Sequence, residues 1–522
     1  MRSNLSLQRP RRPTGCGAAG HRLLAWAAAL CASLGLGAAW AQDSVGGRGF
    51  SISSSVESGL TATRRSSTLD GSSGDDLMLM VRPSMQLSSR AGRFRGSLSY
   101  SLAASKHTSR SEGDGIENYL NSSFNGALVD GWMYVDGAVS ISQLSRSAYG
   151  EQTPGGSIGS ANGNRAEVWN ASLTPYVAGR LGGVASYRAS ITGGATNTRR
   201  SSNTDSTTTG AALALSSARA GTVFSWGLDG SWQEVDFRVG RTTETSRGQA
   251  SLSIVPDVDL SLSLRAGQES TNVGRFDKRS YDNWGGSVRW TPSPRTSASF
   301  DTDRRYFGNS HRFSFDHRMA RSSIRVSSVR DVTNGADAAS AAAPITLYQL
   351  IYAAFASTGR DAAEQERLTR EFFLLNPGLD PAAVAGGGSL ASGISVLRRE
   401  DVAFSYSGLR TTMSLLAFTT ESKVIDNPSG TPADGPVRQW GYTGSLGYRL
   451  TPQDSINLSG SHQRTLSSGL RQGNDLKSLA MSWSSQLGRR TSATVSARHS
   501  QFSSATNPYR ETSLTGSLSL RF

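Results

Sequence analysis

The chain has 522 residues and a formal net charge of +14, and charged residues make up 18% of it. Hydrophobic residues make up 37%, and the mean hydropathy is −0.35. After the N-terminal region, no segment has the roughly 18 consecutive apolar residues that a transmembrane helix needs, which excludes a helical membrane bundle. A membrane barrel stays possible, because only alternate residues of its strands face lipid.

The N-terminus has the pattern of an export signal. Five arginines lie within residues 2–22, and an apolar stretch follows at 23–38. Ala39 and Ala41 form a small-x-small cleavage site, so we expect residues 1–41 to be removed and Gln42 to begin the mature chain. An uncleaved anchor is the alternative.

Both cysteines, Cys16 and Cys31, lie in the segment that we expect to be removed. The mature chain would then have no disulfide, no thiolate metal site and no cysteine nucleophile. The basic excess is almost all arginine, which fits an anionic surface or solute, or a compositional bias toward arginine. Export argues against a nucleic acid partner.

Apolar side chains alternate with Ser, Thr, Gly and charged residues along most of the chain, which is the period of a β-strand. Each run is about ten residues long, the length of a tilted strand that crosses a bilayer. Clear examples are Phe224, Trp226 and Leu228; Leu260, Leu262 and Leu264; Trp440, Tyr442 and Leu446; and Leu479, Met481 and Trp483.

Short and long connections alternate along the chain, as periplasmic turns and extracellular loops do in outer-membrane barrels. Ten short turns, with a first and a last strand outside the hairpins, predict about 22 strands, within a range of about 18 to 24. The short turns include 129–131, 255–257, 291–294, 451–454 and 488–490, and the long connections include 105–117, 146–165, 193–209, 240–247, 423–437 and 465–476.

We therefore predict an all-β fold, a transmembrane antiparallel up-and-down β-barrel. Residues 42–330 form its first part and 401–522 its C-terminal part. Residues 331–400 lack alternation, and Asp361 with Glu364 has the pattern of a helix-capping box. We expect a helical loop insertion on the outer side, which either plugs the lumen or forms a surface cap.

The last predicted strand alternates up to an aromatic residue, with Leu518, Leu520 and Phe522 on one face. This resembles the signal that the outer-membrane barrel assembly machinery recognises. We therefore expect the cell outer membrane of a Gram-negative bacterium, with outer-membrane lipid, lipopolysaccharide and the assembly machinery as partners.

Strand alternation also predicts which charged residues face the lumen. If Phe300, Phe313 and Val326 face lipid, neighbouring strands place Asp and Arg side by side in the wall. Such charges either set the selectivity of a pore or form a salt-bridge ladder that only rigidifies the wall. The predicted lumen charge wall consists of Asp301, Asp303, Arg312, Asp316, Arg318, Arg321 and Arg325.

We find no pattern that indicates catalysis, a metal or a cofactor. His311 and His317 would point to the same side of one strand, but no pair of histidines has a close metal-binding spacing. No G-x-S-x-G sequence occurs, and serine is too abundant for a Ser/His pair to be informative. We expect a protein that is not an enzyme and has no cofactor.

Three sets of motifs resemble one family. They are LVDGW in the segment 128–143, WTPSPRT at 290–296 with RRYFGN at 304–309, and VLRR at 396–399 with SGLRTT at 407–412. Together they resemble the PEP-CTERM system-associated outer-membrane protein family. The resemblance covers most of the mature chain and implies a barrel associated with exosortase and exopolysaccharide gene systems. Its motifs are turns and strands, so it leaves the mechanism open.

Three functions remain as hypotheses. The first is a porin-like channel associated with export of exopolysaccharide or PEP-CTERM proteins. The second is a non-conducting structural or docking protein for surface assembly, with 331–400 as its contact surface, and partners would be polysaccharide or export-system proteins. The third is a barrel hydrolase. A TonB-dependent transporter is disfavoured, because Gln42 lies too close to the first strand for an N-terminal plug domain.

Overall fold

The structure is a computed structural model of the chain. It describes residues 49–69, 71–89, 92–109, 114–154, 163–199, 204–217, 223–333, 393–426, 435–469 and 471–522, and nine positions between 345 and 390. The expected signal peptide, with Ala39, Ala41 and Gln42, lies outside the described residues. Among those described, no helix is long and apolar enough to cross a membrane.

The chain forms strands of 10 to 18 residues in the main sheet. The first eleven are β1 (Phe50–Ser67), β2 (Ser73–Ser89), β3 (Phe94–His107), β4 (Gly115–Val129), β5 (Met133–Ser145), β6 (Arg165–Leu181), β7 (Ala185–Thr198), β8 (Ser206–Ser217), β9 (Phe224–Phe237), β10 (Thr243–Asp257) and β11 (Leu260–Thr271). The other eleven are β12 (Arg279–Ser293), β13 (Thr296–Arg305), β14 (Gly308–Arg318), β15 (Ser322–Thr333), β18 (Ile394–Ser407), β19 (Thr411–Asp426), β20 (Val437–Arg449), β21 (Asp454–Thr465), β22 (Asn474–Gln486), β23 (Thr491–Ser503) and β24 (Tyr509–Arg521). Two short strands, β16 (Ile345–Thr346) and β17 (Val384–Ala385), pair only with each other.

The 22 long strands form one closed antiparallel sheet. Each strand pairs with the next in the chain, β15 pairs with β18, and β24 closes the ring on β1 with Val56 opposite Leu520. The predicted all-β antiparallel barrel and its number of strands are thus confirmed. Closure leaves no unpaired sheet edge, which is the condition for a sheet to cross lipid.

The predicted insertion is narrower than 331–400 and its helical part is not supported. β15 continues to Thr333, β18 begins at Ile394, and Thr333 pairs with Ser395. The sequence alternates too weakly at these strand ends to reveal them. Most of the intervening residues lie outside those described, the elements that are described there are strands, and three isolated helical positions define no helix.

The two ends of the barrel differ. β1 begins and β24 ends at the turn end, where the connections have two to six residues. Gly131 and Gly182 have φ of 78° and 59° in two of these turns, a conformation that side chains with a Cβ rarely adopt. The opposite end, the loop end, has connections of five residues or more, with 306–307 as a two-residue exception.

Burial is the reverse of that in a water-soluble protein. Alternate large apolar side chains point outward and are exposed, and Leu264 is 71% exposed. Polar side chains point inward and are buried, and Glu269 on the same strand is 0% exposed. Other buried inward residues are Thr196, Thr271, Asn283, Ser414, Asn457, Ser484 and Ser500. The outer surface is therefore mainly apolar, and many of the side chains shielded from solvent are polar.

Tryptophans form two bands on the outer face. Four of them, Trp169, Trp232, Trp284 and Trp440, lie toward the loop end, and four, Trp132, Trp226, Trp290 and Trp483, lie toward the turn end. On β9 and β12 the bands are six residues apart, roughly 20 Å along the strand. Two residues beyond each loop-end tryptophan, the same face carries a charged residue: Glu167, Glu234, Asp282 and Arg438.

Candidate functional site: the polar lumen and its loop end

A cluster of charges on β10, β11 and β13 lies on the inner wall. Arg265 contacts Asp301 (Nη1 to Oδ2, 2.8 Å) and Asp303 (Nη2 to Oδ1, 3.1 Å). Arg247 contacts the other oxygen of Asp303 at 3.1 Å. Asp303 therefore lies between two guanidinium groups, and its charge is compensated from two strands.

A glycine on β12, Gly285, makes this cluster possible. Gly285 lies opposite Arg265 on one side and opposite Asp303 on the other. A Cβ at Gly285 would collide with Oδ1 of Asp303 and with the carbonyl oxygen of Thr302. Glycine thus lets Arg265 reach across a whole strand to its carboxylate partners.

A second cluster lies nearer the loop end. Arg305 on β13 contacts Glu269 on β11 (Nη2 to Oε1, 2.6 Å) and Asp331 on β15 (Nη1 to Oδ1, 2.9 Å). The buried Glu269 carboxylate therefore has its charge partner. Tyr306, in the turn after Arg305, is partly buried, and this burial raises the pKa of its phenol.

The predicted charge wall is found in part as expected. Asp316 lies opposite Arg325 and accepts a hydrogen bond from its Nε at 2.6 Å. Asp301 lies opposite Arg312, as alternation predicts, but its contact is with Arg265. Arg312 is exposed on the inner face, and the structure gives it no ion pair among the described residues.

The remaining predicted wall residues lie toward the turn end. Arg318 is on the inner face of β14, opposite Ser323. Arg321 is in the β14–β15 turn, where its carbonyl oxygen accepts the amide of Ser407 at 2.8 Å, so it belongs to the rim. Arg247, Arg265, Glu269 and Arg305 are wall residues that the sequence analysis missed. Extending the alternation beyond Leu264 would have placed Arg265 and Glu269 inward.

One loop crosses the loop end of the lumen. Residues 146–154, here the inner segment, lie between β5 and β6. The carbonyl oxygen of Ala148 accepts hydrogen bonds from Thr465 on β21 at 3.1 Å and from Asn474 on β22 at 2.9 Å. These strands lie well around the ring from β5, so the inner segment reaches the far wall.

The inner segment also contacts the seam of the barrel. Tyr509 of β24 donates its hydroxyl to the carbonyl oxygen of Gln152 at 2.7 Å. Arg65 of β1 contacts Glu151 at 2.8 Å and lies over the Tyr509 ring, 3.9 Å from its centroid. Side chains of four wall strands thus hold one loop inside the barrel.

Leu390, near the end of the insertion, contacts the wall at β5. The amide of Leu390 donates to the carbonyl oxygen of Ser145 at 2.8 Å. Leu390 packs against the buried side chains of Leu144 and Val168. Ile394 begins β18, on the opposite side of the ring from β5.

Only a few residues separate Leu390, which contacts the wall at β5, from Ile394, which begins β18 in the opposite wall. From Leu390 to Ile394 the chain spans at most about 14 Å. A circular barrel of 22 strands would be about 40 Å across. The insertion and the top of β5 therefore meet inside the outline of the barrel, and the loop end is narrowed.

A third contact narrows the same end. Arg241, between β9 and β10, forms an ion pair with Asp426 at the end of β19. The amide of Gly274 donates to the same carboxylate at 2.8 Å. Below them, Val235 and Phe237 pack against Ile394 in an apolar cluster inside the barrel.

No metal site accompanies these clusters: within the part of the chain that the structure describes, no group of three or more His, Cys, Asp or Glu residues could hold an ion. His311 and His317 share the outward face of β14, where His311 hydrogen-bonds Ser328 at 3.1 Å and His317 hydrogen-bonds Thr296 at 2.9 Å. Each histidine thus has a hydroxyl partner.

No family model matches the chain, and no curated protein matches it. Among solved structures, the FrpB iron transporter from Neisseria meningitidis (F5-1 variant) aligns with a TM-score of 0.47 and 12% identity, over 91% of this chain and 83% of that one. The siderophore receptor PirA from Pseudomonas aeruginosa aligns with a TM-score of 0.41 and 8% identity, over 90% and 80%. OccK2 (OpdF) from Pseudomonas aeruginosa, in complex with glucuronate, aligns with a TM-score of 0.34 and 9% identity, over 91% and 100%.

None of these TM-scores reaches 0.5. The fold assignment therefore rests on the strand pairing of this chain itself, which closes a barrel of 22 antiparallel strands.

Proposed function

We propose that this chain is an outer-membrane β-barrel that forms a channel for polar solutes, closed in this state by the inner segment and the insertion. The observation that carries the proposal is a polar, ion-paired lumen enclosed by an apolar outer face. An apolar exterior of this extent is stable only in lipid.

The outer face supports a membrane location. Exposed leucines, valines and phenylalanines lie between the two tryptophan bands. The indole ring prefers the boundary between hydrocarbon and headgroups. The charged residues Glu167, Glu234, Asp282 and Arg438 begin just beyond the loop-end band, where the headgroup region would start.

The inner face supports passage of uncharged, hydrogen-bonding solutes. On β21 to β23 it carries Asn457, Ser484 and Ser500, and Ser455 is hydrogen-bonded to Ser484 at 2.8 Å. Most inward carboxylates have an arginine partner, so the wall offers many hydroxyl and amide groups beside paired charges. A hydroxyl-rich solute such as a saccharide suits such a wall.

The association with exopolysaccharide or PEP-CTERM protein export is part of the same proposal. Its support is the sequence resemblance at 128–143, 290–296 and 396–412. A saccharide-compatible lumen is in keeping with that resemblance.

A second candidate function is a non-conducting docking protein for surface assembly. The contact between Leu390 and Ser145 favours it, because it fixes part of the insertion across the loop end. The two candidates differ in whether the insertion leaves the lumen.

Swelling of liposomes separates the two functions. The variant to use has 334–392 replaced by a short Gly-Ser linker, since Thr333 and Ser395 already pair as a hairpin. We expect rapid entry of a neutral hexose and slower entry of a hexuronate and a hexosamine. Heat-dependent gel mobility shows whether the purified barrel is folded. If the folded barrel admits no sugar, the channel proposal is wrong and the docking function is favoured.

A further inference from the structure

A groove of about 760 Å³ lies on the outward face of β18 to β23. Its floor is formed by Gly444 and Gly460, which are cross-strand partners and both face outward. A Cβ at Gly460 would have only ordinary contacts, at 3.7 Å from Cδ1 of Leu479 and 3.8 Å from the carbonyl oxygen of Ser478. Gly460 therefore leaves room for a ligand to approach the backbone, whereas Cδ2 of Leu415 lies 2.9 Å from where a Cβ of Gly444 would be.

The sides of this outer groove are apolar and accessible. Leu415, Tyr442 and Leu479 line it and are 42%, 54% and 57% exposed. Side chains of this kind would lie along a hydrocarbon chain. Their exposure leaves the groove open along its length.

The loop-end margin of the outer groove is basic. His462, Lys477 and His499 line it there. The Lys477 side chain is 61% exposed, 3.8 Å from Asp475, and His462 Nε2 lies 2.8 Å from the same carboxylate. One acidic side chain thus lies beside this group of basic ones.

Further cations continue this margin on both sides. Lys423 on β19, Arg464 on β21 and Arg510 on β24 are exposed and share the outward face. Arg464 lies opposite Asp475, and Arg510 lies opposite Gln501. The spread over several strands suits a ligand with more than one anionic group.

A second outward groove, of about 570 Å³, provides an internal comparison. Met133, Ile191, Leu213 and Trp232 line it beside Gly230, and no Lys, Arg or His does. The two grooves share an apolar body near a glycine. Of these two grooves, the outer groove of β18 to β23 is the one with basic side chains in its lining.

We propose that the outer groove binds the lipid A portion of lipopolysaccharide, a multiply acylated glycolipid with two phosphates. One acyl chain lies over Gly460, beside Leu415 and Leu479, and a phosphate lies at Lys477 and His499. The inference rests on the proposed outer-membrane location, in which the loop end faces the leaflet that contains this lipid. A phosphate beside these exposed cations supplies the charge complementarity, and the groove supplies the apolar contact.

Native mass spectrometry of the full mature chain in detergent tests the proposal, with lipid A and phosphatidylglycerol as separate probes. Gly460→Leu fills the floor, and Lys477→Gln removes the cation while leaving the groove intact. Gly230→Leu, in the second groove, is the matched control, since a Cβ there meets nothing within 4 Å.

We expect the unaltered chain and Gly230→Leu to retain lipid A equally, and each groove variant to bind it about ten-fold more weakly. Equal retention by all four proteins, or equal retention of phosphatidylglycerol and lipid A, would overturn the proposal. Heat-dependent gel mobility of each protein shows separately whether the barrel is folded. If Gly460→Leu does not fold, Lys477→Gln decides the outcome. If the unaltered chain itself shows no heat-dependent shift in gel mobility, the proposed membrane location is wrong, and this result is distinct from a failure to bind lipid A.

Discussion

The amide of Leu390 donates a hydrogen bond to the carbonyl oxygen of Ser145 at 2.8 Å, and this contact joins the insertion to a strand on the opposite side of the barrel. Ser389 forms a parallel bridge with the same serine. A chain that leaves the wall after β15 therefore reaches β5 before it returns to form β18. Contacts between distant parts of the sequence therefore narrow the loop end.

An engineered disulfide tests this crossing. Ser145→Cys with Ser389→Cys places two thiols at bridge-paired positions, and the expected mature chain has no other cysteine. We expect the disulfide to form in the folded barrel under mild oxidation, because paired strand positions bring Cβ atoms within disulfide range. Intact mass and thiol labelling measure it. Ser145→Cys with Ser270→Cys, whose second position faces outward, should stay reduced, and equal oxidation of both pairs would show that the crossing is absent.

Neutralising one carboxylate should change ion selectivity. Asp303→Asn leaves Arg247 and Arg265 with less negative charge nearby. In the variant that lacks 334–392, we expect the anion-to-cation permeability ratio to rise by about two-fold, read from the reversal potential in a salt gradient. Asp282→Asn, the same charge change on the outer face, should leave the ratio unchanged. An unchanged ratio in Asp303→Asn would mean that the wall only rigidifies the barrel.

A larger residue at Gly285 should destabilise the barrel. Gly285→Ala places a methyl group where Asp303 and the Thr302 carbonyl now lie. We expect a loss of about 1–3 kcal/mol in the free energy of unfolding, measured by urea titration in detergent. Gly248→Ala on β10 meets nothing within 4 Å and is the control. Equal stability of the two variants would contradict the close approach of Arg265 and Asp303 over β12.

The seam between β24 and β1 should be sensitive to its last aromatic residue. The amide of Phe522 donates to the carbonyl oxygen of Ser54 at 2.9 Å, and Leu518 and Leu520 share its outward face. Phe522→Ala should lower the fraction of barrel assembled in the outer membrane several-fold, because it removes apolar surface at the closing strand. Membrane fractionation with unheated gels measures this. Phe224→Ala, also outward and near the turn end, should assemble normally, so an equal loss in both would assign the effect to hydrophobicity alone.

The sequence predicted the barrel because strand alternation is a local property. Trp226 and Leu228 indicate the outward face of β9 from the sequence of that strand alone. The ten short turns predict the number of hairpins. The neighbour pairing of Asp316 with Arg325 also follows from alternation between adjacent strands.

The rest depends on geometry that no local pattern contains. Arg265 reaches beyond its neighbouring strand because Gly285 is small, so the partner of Asp301 could not be read from adjacency to Arg312. The contact of Ala148 with Thr465 and Asn474 joins residues more than 300 positions apart. Such contacts depend on barrel curvature and loop path.

Paired single-channel recordings in planar lipid bilayers test the central claim most directly. The unaltered chain and the variant with 334–392 replaced by a short linker are compared in the same membrane and salt. We expect low or intermittent conductance from the unaltered chain and stable, several-fold larger conductance from the variant. Absence of conductance from both proteins, with each barrel shown to be folded and inserted, would contradict the account of a channel closed by its own insertion.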